Sequence, residues 1–168
     1  KSETIGSHEM HTEHFAVSRR TIERLITASG PVIAVGTTSV RTLESLYYLG
    51  ARLSMTGLTD HADLPTVEQW TPYTDEVPGI SAREALQHLL DHLDHQGVDR
   101  LVAATRIILA PGYEFKIVRG MITNFHQPQS TLLLLVSAFV KGDWKAIYDY
   151  ALDHDFRFLS YGDSSLLL

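Results

Sequence analysis

Apolar and polar residues alternate along this chain in short blocks with two different periods. Residues 10–17 alternate loosely with a period of two, which is typical of a half-buried strand. Ser18 is a typical helix cap, and apolar residues at every third or fourth position then predict a helix over 19–28, before Gly30. The next run, 32–35, is apolar at every position, as in a parallel strand that is buried from both sides.

The alternation of strands and helices continues to the end of the chain. Further helices are predicted over 41–49, 81–95, 130–140 and 144–154, and further strands over 101–109, 114–118, 121–124 and 156–161. Residues 51–80 are rich in Thr, Pro, Gly and Asp and predict a loop-rich excursion that packs onto the body through Trp70 and Tyr73. The pattern therefore predicts one α/β domain over residues 1–168, with a mostly parallel sheet flanked by helices.

The amino-acid composition excludes several classes of protein. The 168 residues are enough for one domain with a substantial core, and the absence of cysteine excludes disulfides and thiolate metal sites. No apolar run reaches membrane-spanning length and residues 1–20 do not read as a signal peptide, so we expect a cytoplasmic protein without a membrane partner. The net charge of −6 argues against a uniformly basic RNA-binding surface. A local basic stripe remains compatible with it, from Arg41, Arg106, Lys116, Arg119 and Arg157.

The most informative segment carries three polar side chains, Thr123, Asn124 and His126, just before Pro128. Ser130 then caps a strongly apolar helix. A strand that delivers polar groups to its carboxyl end, followed by a capped helix, is how open α/β sheets place reactive groups. The alternative is that the asparagine and the histidine only satisfy loop backbone.

A second candidate site lies between the apolar run 32–35 and the next helix, where the turn 36–39 contains Thr37 and Thr38. Free N–H groups at a helix start, with hydroxyls beside them, favour an anion, and Arg41 would add charge-assisted donors for a carboxylate or phosphate. The spacing is not that of a P-loop, so nucleoside triphosphate hydrolysis is not expected. The alternative is an ordinary helix cap with an exposed arginine.

Histidines occur in two groups whose spacing raises the question of a metal: His8, His11 and His14 near the start, and His88, His92 and His95 on one predicted helix. Three helical histidines more often form a solvated face, and we predict no metal. His11 and Glu13 would share one face of the first strand, which favours an acid/base role for both. A packed, hydrogen-bonded histidine is the alternative.

Two further segments carry side chains suited to a nucleotide. Tyr113 follows a Pro-Gly turn and could stack on a purine, while Lys116 could meet a phosphate. Asp163 follows Gly162 in the last predicted turn and offers a carboxylate to a ribose hydroxyl or a base edge. For both segments the alternative is a turn that only closes the sheet.

Five segments in this order resemble the S-adenosylmethionine:tRNA ribosyltransferase-isomerases of queuosine biosynthesis. They cover residues 8–13, 32–45, 111–116, 120–139 and 156–163. The segment 51–95 does not carry the resemblance. The resemblance implies the C-terminal part of a larger two-domain enzyme, whose N-terminal half and inserted β-barrel domain are absent from this chain. We therefore expect the chain to be inactive alone and to work with that N-terminal half.

The family resemblance also implies a reaction. Such enzymes transfer and isomerise the ribosyl moiety of S-adenosylmethionine onto 7-aminomethyl-7-deazaguanine in tRNA, giving epoxyqueuosine-tRNA and releasing adenine and methionine. S-adenosylmethionine is then a substrate, tRNA is the partner, and no cofactor is implied. The family usually has Pro-Lys-Ser after its histidine motif, whereas this chain has Pro128-Gln129-Ser130.

For that reaction the acid/base candidates are His126, His11 and Glu13, with the choice of base left open. Thr37, Thr38 and Arg41 suit the methionine carboxylate or a phosphate, Asn124, Tyr113 and Asp163 would orient base or ribose, and Lys116 would meet phosphate. We expect Thr37, Thr38, Arg41, Asn124, His126 and Asp163 to converge in one open cleft. The competing hypotheses are a non-catalytic module that binds tRNA or a nucleotide, and a methyltransferase, for which the Gly-rich fingerprint is lacking.

Overall fold

The computed structural model describes residues 9–58 and 64–168, and their architecture is α/β, as predicted. The elements are β1 (Glu13–Ser18), α1 (Arg19–Thr27), β2 (Val32–Val35), α2 (Thr37–Thr56), α3 (Ala82–Gln96), β3 (Arg100–Thr105), β4 (Val118–Asn124), α4 (Thr131–Phe139), α5 (Trp144–Asp153) and β5 (Ser164–Leu167). Short 3-10 turns lie at Thr71–Tyr73 and Leu159–Tyr161. Among these residues no helix is long and apolar enough to cross a membrane.

The strands form two sheets, and the prediction of a mostly parallel sheet is wrong. β1 pairs antiparallel with β3, whereas the second sheet has the order β2-β4-β5, parallel between β2 and β4 and antiparallel between β4 and β5. Hydrophobic patterns record which residues are buried, but strand direction is set by the connections. β5 begins at Ser164, opposite Asn124 at the end of β4, so the chain has returned through α4 and α5 to the edge where β4 ends, and the last strand runs against its neighbour.

Helix α2 is the central element, and it is much longer than the predicted 41–49. It begins at Thr37, directly after Gly36, whose φ of 85° favours glycine, and it ends before Gly57 at φ 75°. Gly50 does not stop it, because there α2 crosses α3 and a Cβ atom would overlap the carbonyl oxygen of Ala85. Glycine lets the two helices approach closely at this point.

Three of the other helices begin at a serine N-cap, as predicted. Ser18, Ser81 and Ser130 each accept a hydrogen bond from the backbone of the first turn, and Ser81 forms a reciprocal capping box with Glu84. These local hydrogen bonds are encoded within four residues, so the helix starts were predictable from sequence.

Two predicted strands are absent from the described structure. Of the predicted strand 114–118 only Val118 belongs to a strand, because the backbone N–H groups of residues 116–118 donate to the Glu44 side chain. The predicted strand 156–161 contains a 3-10 turn instead, with Leu159 at φ 61°, and the strand follows at Ser164.

The loop-rich excursion is shorter than predicted, since residues 51–56 belong to α2, and residues 59–63 lie outside the described structure. Its later part packs onto the body, although Trp70 is 39% exposed and Tyr73 42% exposed. Leu64 and Val67 are buried, and Val67 forms a parallel bridge to Thr105 at the end of β3. The Tyr73 hydroxyl donates to the carbonyl of Ile108. Both sheets and the helices around α2 contribute to one contiguous hydrophobic core.

Replacing Gly50 with alanine should lower the free energy of unfolding by about 1–3 kcal/mol or more, because the added methyl forces α2 and α3 apart. Urea unfolding followed by circular dichroism measures this. Gly79→Ala is the matched control, since a Cβ atom there meets nothing within 4 Å. Equal stabilities of the two variants would contradict a tight crossing at Gly50.

Candidate functional site

The carboxyl ends of β2 and β4 meet the start of α2 at one edge of the three-stranded sheet. The Gly36 N–H donates to the carbonyl of Ile122 at 2.8 Å, which fixes the helix start beside the end of β4. Among the described residues no side chain caps the first N–H groups of α2, and Thr38 and Ser39 are exposed. This edge therefore presents a helix N-terminus that is open to an anion.

His126 lies just beyond the end of β4 and is held from two sides. Its Nε2 atom is 2.8 Å from the Thr123 hydroxyl, and its backbone N–H donates to the Tyr148 hydroxyl at 2.9 Å. Partial burial lowers the pKa of the imidazole below its usual range. The ring is therefore neutral near pH 7 and able to accept a proton.

Asn124 and Asp163 meet at the same edge. The Asn124 amide donates to the Asp163 carbonyl at 3.2 Å, across the β4–β5 ladder. The Asp163 carboxylate accepts from the backbone N–H of Arg157 at 2.6 Å and from its guanidinium at 3.3 Å. These hydrogen bonds lower the pKa of Asp163, the backbone donor most. We name residues 36–39, 123–126 and 163–164 the sheet-end cluster.

Backbone strain occurs in the two turns next to His126. Gln129 has φ 63° and Leu159 has φ 61°, both in the left-handed region, which costs a non-glycine residue about 1–3 kcal/mol. The Leu159 N–H donates to the carbonyl of Phe125 at 2.8 Å. The second strained turn is thereby attached to the residue that precedes the histidine.

Arg41 is a buried member of a different cluster. It is 4% exposed, its Nε donates to the carbonyl of Ile107 at 3.0 Å, and its Nη1 forms an ion pair with Glu13. Burial lowers the pKa of the guanidinium, and the neighbouring Glu13 carboxylate opposes that shift. Arg41 thus contacts β1 and the segment after β3, whereas His126 contacts β4 and α5.

The ion pair leaves two polar atoms unused. Glu13 Oε2 and Arg41 Nη2 are buried without a hydrogen-bond partner among the residues that the structure describes. Around the pair, the Ser45 hydroxyl donates to the carbonyl of Arg41 and is hydrogen-bonded to the Thr105 hydroxyl, which accepts from the backbone N–H of Ile107. The arginine is thus fixed from several sides as the positioning partner of Glu13.

His11 lies before β1 and is exposed, because the strand begins at Glu13 and not at residue 10. The prediction that His11 and Glu13 share one strand face is therefore wrong. His92, predicted on a solvated helix face, is instead fully buried. In residues 9–58 and 64–168 no group of three His, Asp or Glu side chains could hold a metal ion, and His8 lies outside these ranges.

Glu44 is the site residue that sequence reasoning missed. Its fully buried carboxylate accepts from the Tyr113 hydroxyl at 2.6 Å and from the backbone N–H groups of Lys116, Ile117 and Val118 at 2.8–2.9 Å. Burial, and then the nearby Glu44 charge, raise the pKa of Tyr113. The buried Tyr113 ring packs edge-on against Phe115, which does not favour the predicted stacking on a purine.

A signal for this cluster exists in the sequence of α2. Arg41, Glu44, Ser45 and Tyr48 recur at helical spacing and form a polar stripe that the structure buries. Lys116, which was predicted to meet a phosphate, keeps a partly exposed side chain. Its ammonium lies 5.7 Å from the centre of the Tyr47 ring.

The sequence model of a family described as "Queuosine biosynthesis protein" matches residues 1–167. The chain belongs to this family. In relation to the family pattern, Gln129 stands in the strained turn after the histidine, where the resemblance led us to expect lysine.

Its relatives include proteins named S-adenosylmethionine:tRNA ribosyltransferase-isomerase. The one from Vesicomyosocius okutanii is 33% identical over 171 residues, which are 99% of this chain and 37% of the relative. The one from Dechloromonas aromatica is 37% identical over 169 residues, 98% of this chain and 35% of the relative. The queuosine family member described here thus spans little more than a third of their length.

A solved structure supports the same relationship. The S-adenosylmethionine tRNA ribosyltransferase from Thermotoga maritima superimposes with a TM-score of 0.58 at 28% identity, covering 92% of this chain and 40% of that one. The agreement extends over almost the whole chain, so the two proteins share this fold.

Glu44→Gln should lower the free energy of unfolding by about 2–4 kcal/mol, because the amide cannot accept on both sides and a charge-assisted hydrogen-bond set is lost. Urea titration measures the change. Glu114→Gln, at a side chain that is 91% exposed, is the control and should stay within about 0.5 kcal/mol of the wild type. A Glu44→Gln chain as stable as the control would contradict this role.

Acidification should reveal the lowered pKa of His126. The unfolded histidine takes up a proton near pH 6.5 and the folded one does so only at lower pH, so the wild type loses stability as pH falls through that range. His126→Gln removes this contribution. The difference in unfolding free energy between about pH 7.5 and about pH 5.5 should therefore be smaller in the variant. Equal pH dependences would contradict a lowered pKa.

Proposed function

We propose that this chain provides part of the active site of an enzyme that transfers and isomerises the ribosyl moiety of S-adenosylmethionine onto 7-aminomethyl-7-deazaguanine in tRNA. Epoxyqueuosine-tRNA forms, and adenine and methionine leave. The observation that carries the proposal is that His126 is held just beyond the end of β4, at the sheet edge where α2 also begins with a free N-terminus, in a chain of the queuosine family. S-adenosylmethionine is a substrate in this proposal, and no cofactor takes part.

The reaction needs a base, since the sulfonium acidifies the neighbouring 5′ carbon, and a donor for the departing adenine. His126 fits the first requirement because its imidazole is neutral near pH 7 and is oriented by Thr123. Glu13, held by Arg41, is the second acid/base candidate. His11, exposed before β1, is the third.

The methionine carboxylate, or a phosphate, needs positive charge or free N–H groups. The first turn of α2 with Thr37 and Thr38 supplies free N–H groups and hydroxyls. Arg41 lies behind this turn: its Nε donates to the Ile107 carbonyl and its Nη1 pairs with Glu13, so its part is to hold Glu13 in place.

The remaining predicted residues are of two kinds, those that contact a substrate and those that hold a neighbouring segment in place. Asn124, at the end of β4, orients the base or ribose, while Asp163 holds the neighbouring turn through Arg157. Lys116 meets a tRNA phosphate with its partly exposed ammonium, and Tyr113 positions the Lys116 segment through Glu44. The relatives are more than twice as long as this chain, so the complete active site also needs the rest of the family protein.

The test joins this chain to the part of the Dechloromonas aromatica relative that it does not match, and measures adenine release with precursor tRNA and S-adenosylmethionine. His126→Ala should lower the rate of the chemical step by about 10²–10⁴-fold with little change in tRNA affinity, because a positioned base is lost. His154→Ala, at an exposed histidine, is the control and should leave the rate unchanged.

His126→Gln separates the two roles of the ring: it restores little activity if the histidine transfers a proton and much if it only forms a hydrogen bond. A His126→Ala protein that works at the wild-type rate would make His126 structural and move the base to Glu13 or His11. A joined protein that binds tRNA but releases no adenine would favour the non-catalytic binding module.

A further inference from the structure

Helix α2 packs against β2 and β4 on one face of the three-stranded sheet. Ala34 and Met121 are buried on the covered face. On the opposite face Val35 is 66% exposed, Leu166 57% and Leu168 81%. We name the apolar residues of that side the outer sheet face, and they are Ile33, Val35, Ile122, Leu166 and Leu168.

These side chains form one continuous patch. The strand register aligns Val35 with Ile122 and Ile122 with Leu166, across all three strands. A Cβ atom at Gly120 would lie 3.1 Å from the Ile33 side chain and 3.0 Å from that of Leu168. The side chains of Ile33 and Leu168 therefore cover Gly120, and no residue of the patch carries a charge.

Such a face is unusual for a sheet exposed to water. A sheet that is covered on one side normally places polar residues on the other, whereas β2 is apolar on both faces, as in sheets covered on both sides. β5 is an edge strand without the lysine or proline that protects exposed edges. The chain thus has the sequence of a sheet that is covered on both faces, whereas Val35, Leu166 and Leu168 are exposed among the described residues.

We propose that the outer sheet face is the docking surface for the part of the family protein that this chain does not include. The chain spans 37% and 35% of two relatives, so enough polypeptide exists in them to form a second layer. An uncharged face suits the apolar core of a permanent protein interface and offers nothing to tRNA phosphates. The inference rests on the proposal that the chain works with the rest of the protein, and not on the reaction.

The docking surface reaches the candidate site. Alternate residues of a strand share a face, so Asn124 follows Gly120 and Ile122 on the outer side, where it pairs with Ser164. A layer seated on the outer sheet face therefore borders the sheet-end cluster. It would form one wall of the site that this chain leaves open.

The absence of cysteine from the chain allows a clean test by thiol labelling. Val35→Cys should react quickly with a maleimide in the chain alone. It should react at least about tenfold more slowly once the chain is joined to the unmatched part of the Dechloromonas aromatica relative, because the side chain becomes buried. Val102→Cys is the matched control, at a valine that is 44% exposed on β3, and its rate should change less than about twofold. Mass spectrometry of the labelled peptide gives each rate.

Equal rates for Val35→Cys in the two proteins would overturn the proposal, as would equal slowing at both positions. Protection of Val35→Cys in the chain alone that grows with protein concentration would also overturn it, since a second copy would then be the occupant. If the joined protein does not fold, the same labelling is done on the Dechloromonas aromatica relative, with a cysteine at the position that aligns with Val35. Slow labelling there supports docking, and fast labelling overturns it. Labelling needs no substrate, so a protected cysteine without adenine release would reject only the reaction.

Discussion

The buried Glu44 carboxylate is the constraint on which the centre of this molecule depends. A charge removed from water must be compensated, and here a tyrosine hydroxyl and three consecutive backbone N–H groups supply the compensation. The same bonds tie the middle of α2 to the start of β4. Since Gly36 ties the beginning of α2 to Ile122 near the other end of β4, helix and strand are fixed against each other at two points. The relative position of the two halves of the sheet-end cluster follows from these two attachments.

What sequence could predict here is mostly local. Ser18, Ser81 and Ser130 cap helices through partners three residues away, and those helix starts were predicted correctly. Strand direction was not predictable, because the pattern of β5 is the same whichever way the strand runs. The prediction ended the second helix at residue 49, directly before Gly50, whereas this glycine lies inside α2 and allows its crossing with α3.

For the candidate site, too, the sequence predicted the local features and not the contacts made by the tertiary fold. Sequence selected His126 and Asn124 correctly as neighbours at the end of a strand, and the order of elements brought Asp163 to them. The sequence could not show that Arg41 faces a glutamate from β1. Nor could it show that Glu44 contacts Tyr113 and Val118, which are separated from it by 69 and 74 positions in the chain. Such partners are brought together only by the tertiary fold, so an arginine near a helix start looked like a ligand contact and proved to be a packed one.

The close crossing at Gly50 has a consequence for motion. With the backbone of α2 against that of α3 and no side chain between them, the two helices cannot slide or rotate without a steric clash at Ala85. The helix pair is therefore a rigid base. A rearrangement around His126 is therefore left to the turns that contain Gln129 and Leu159, whose φ angles of 63° and 61° lie in the left-handed region.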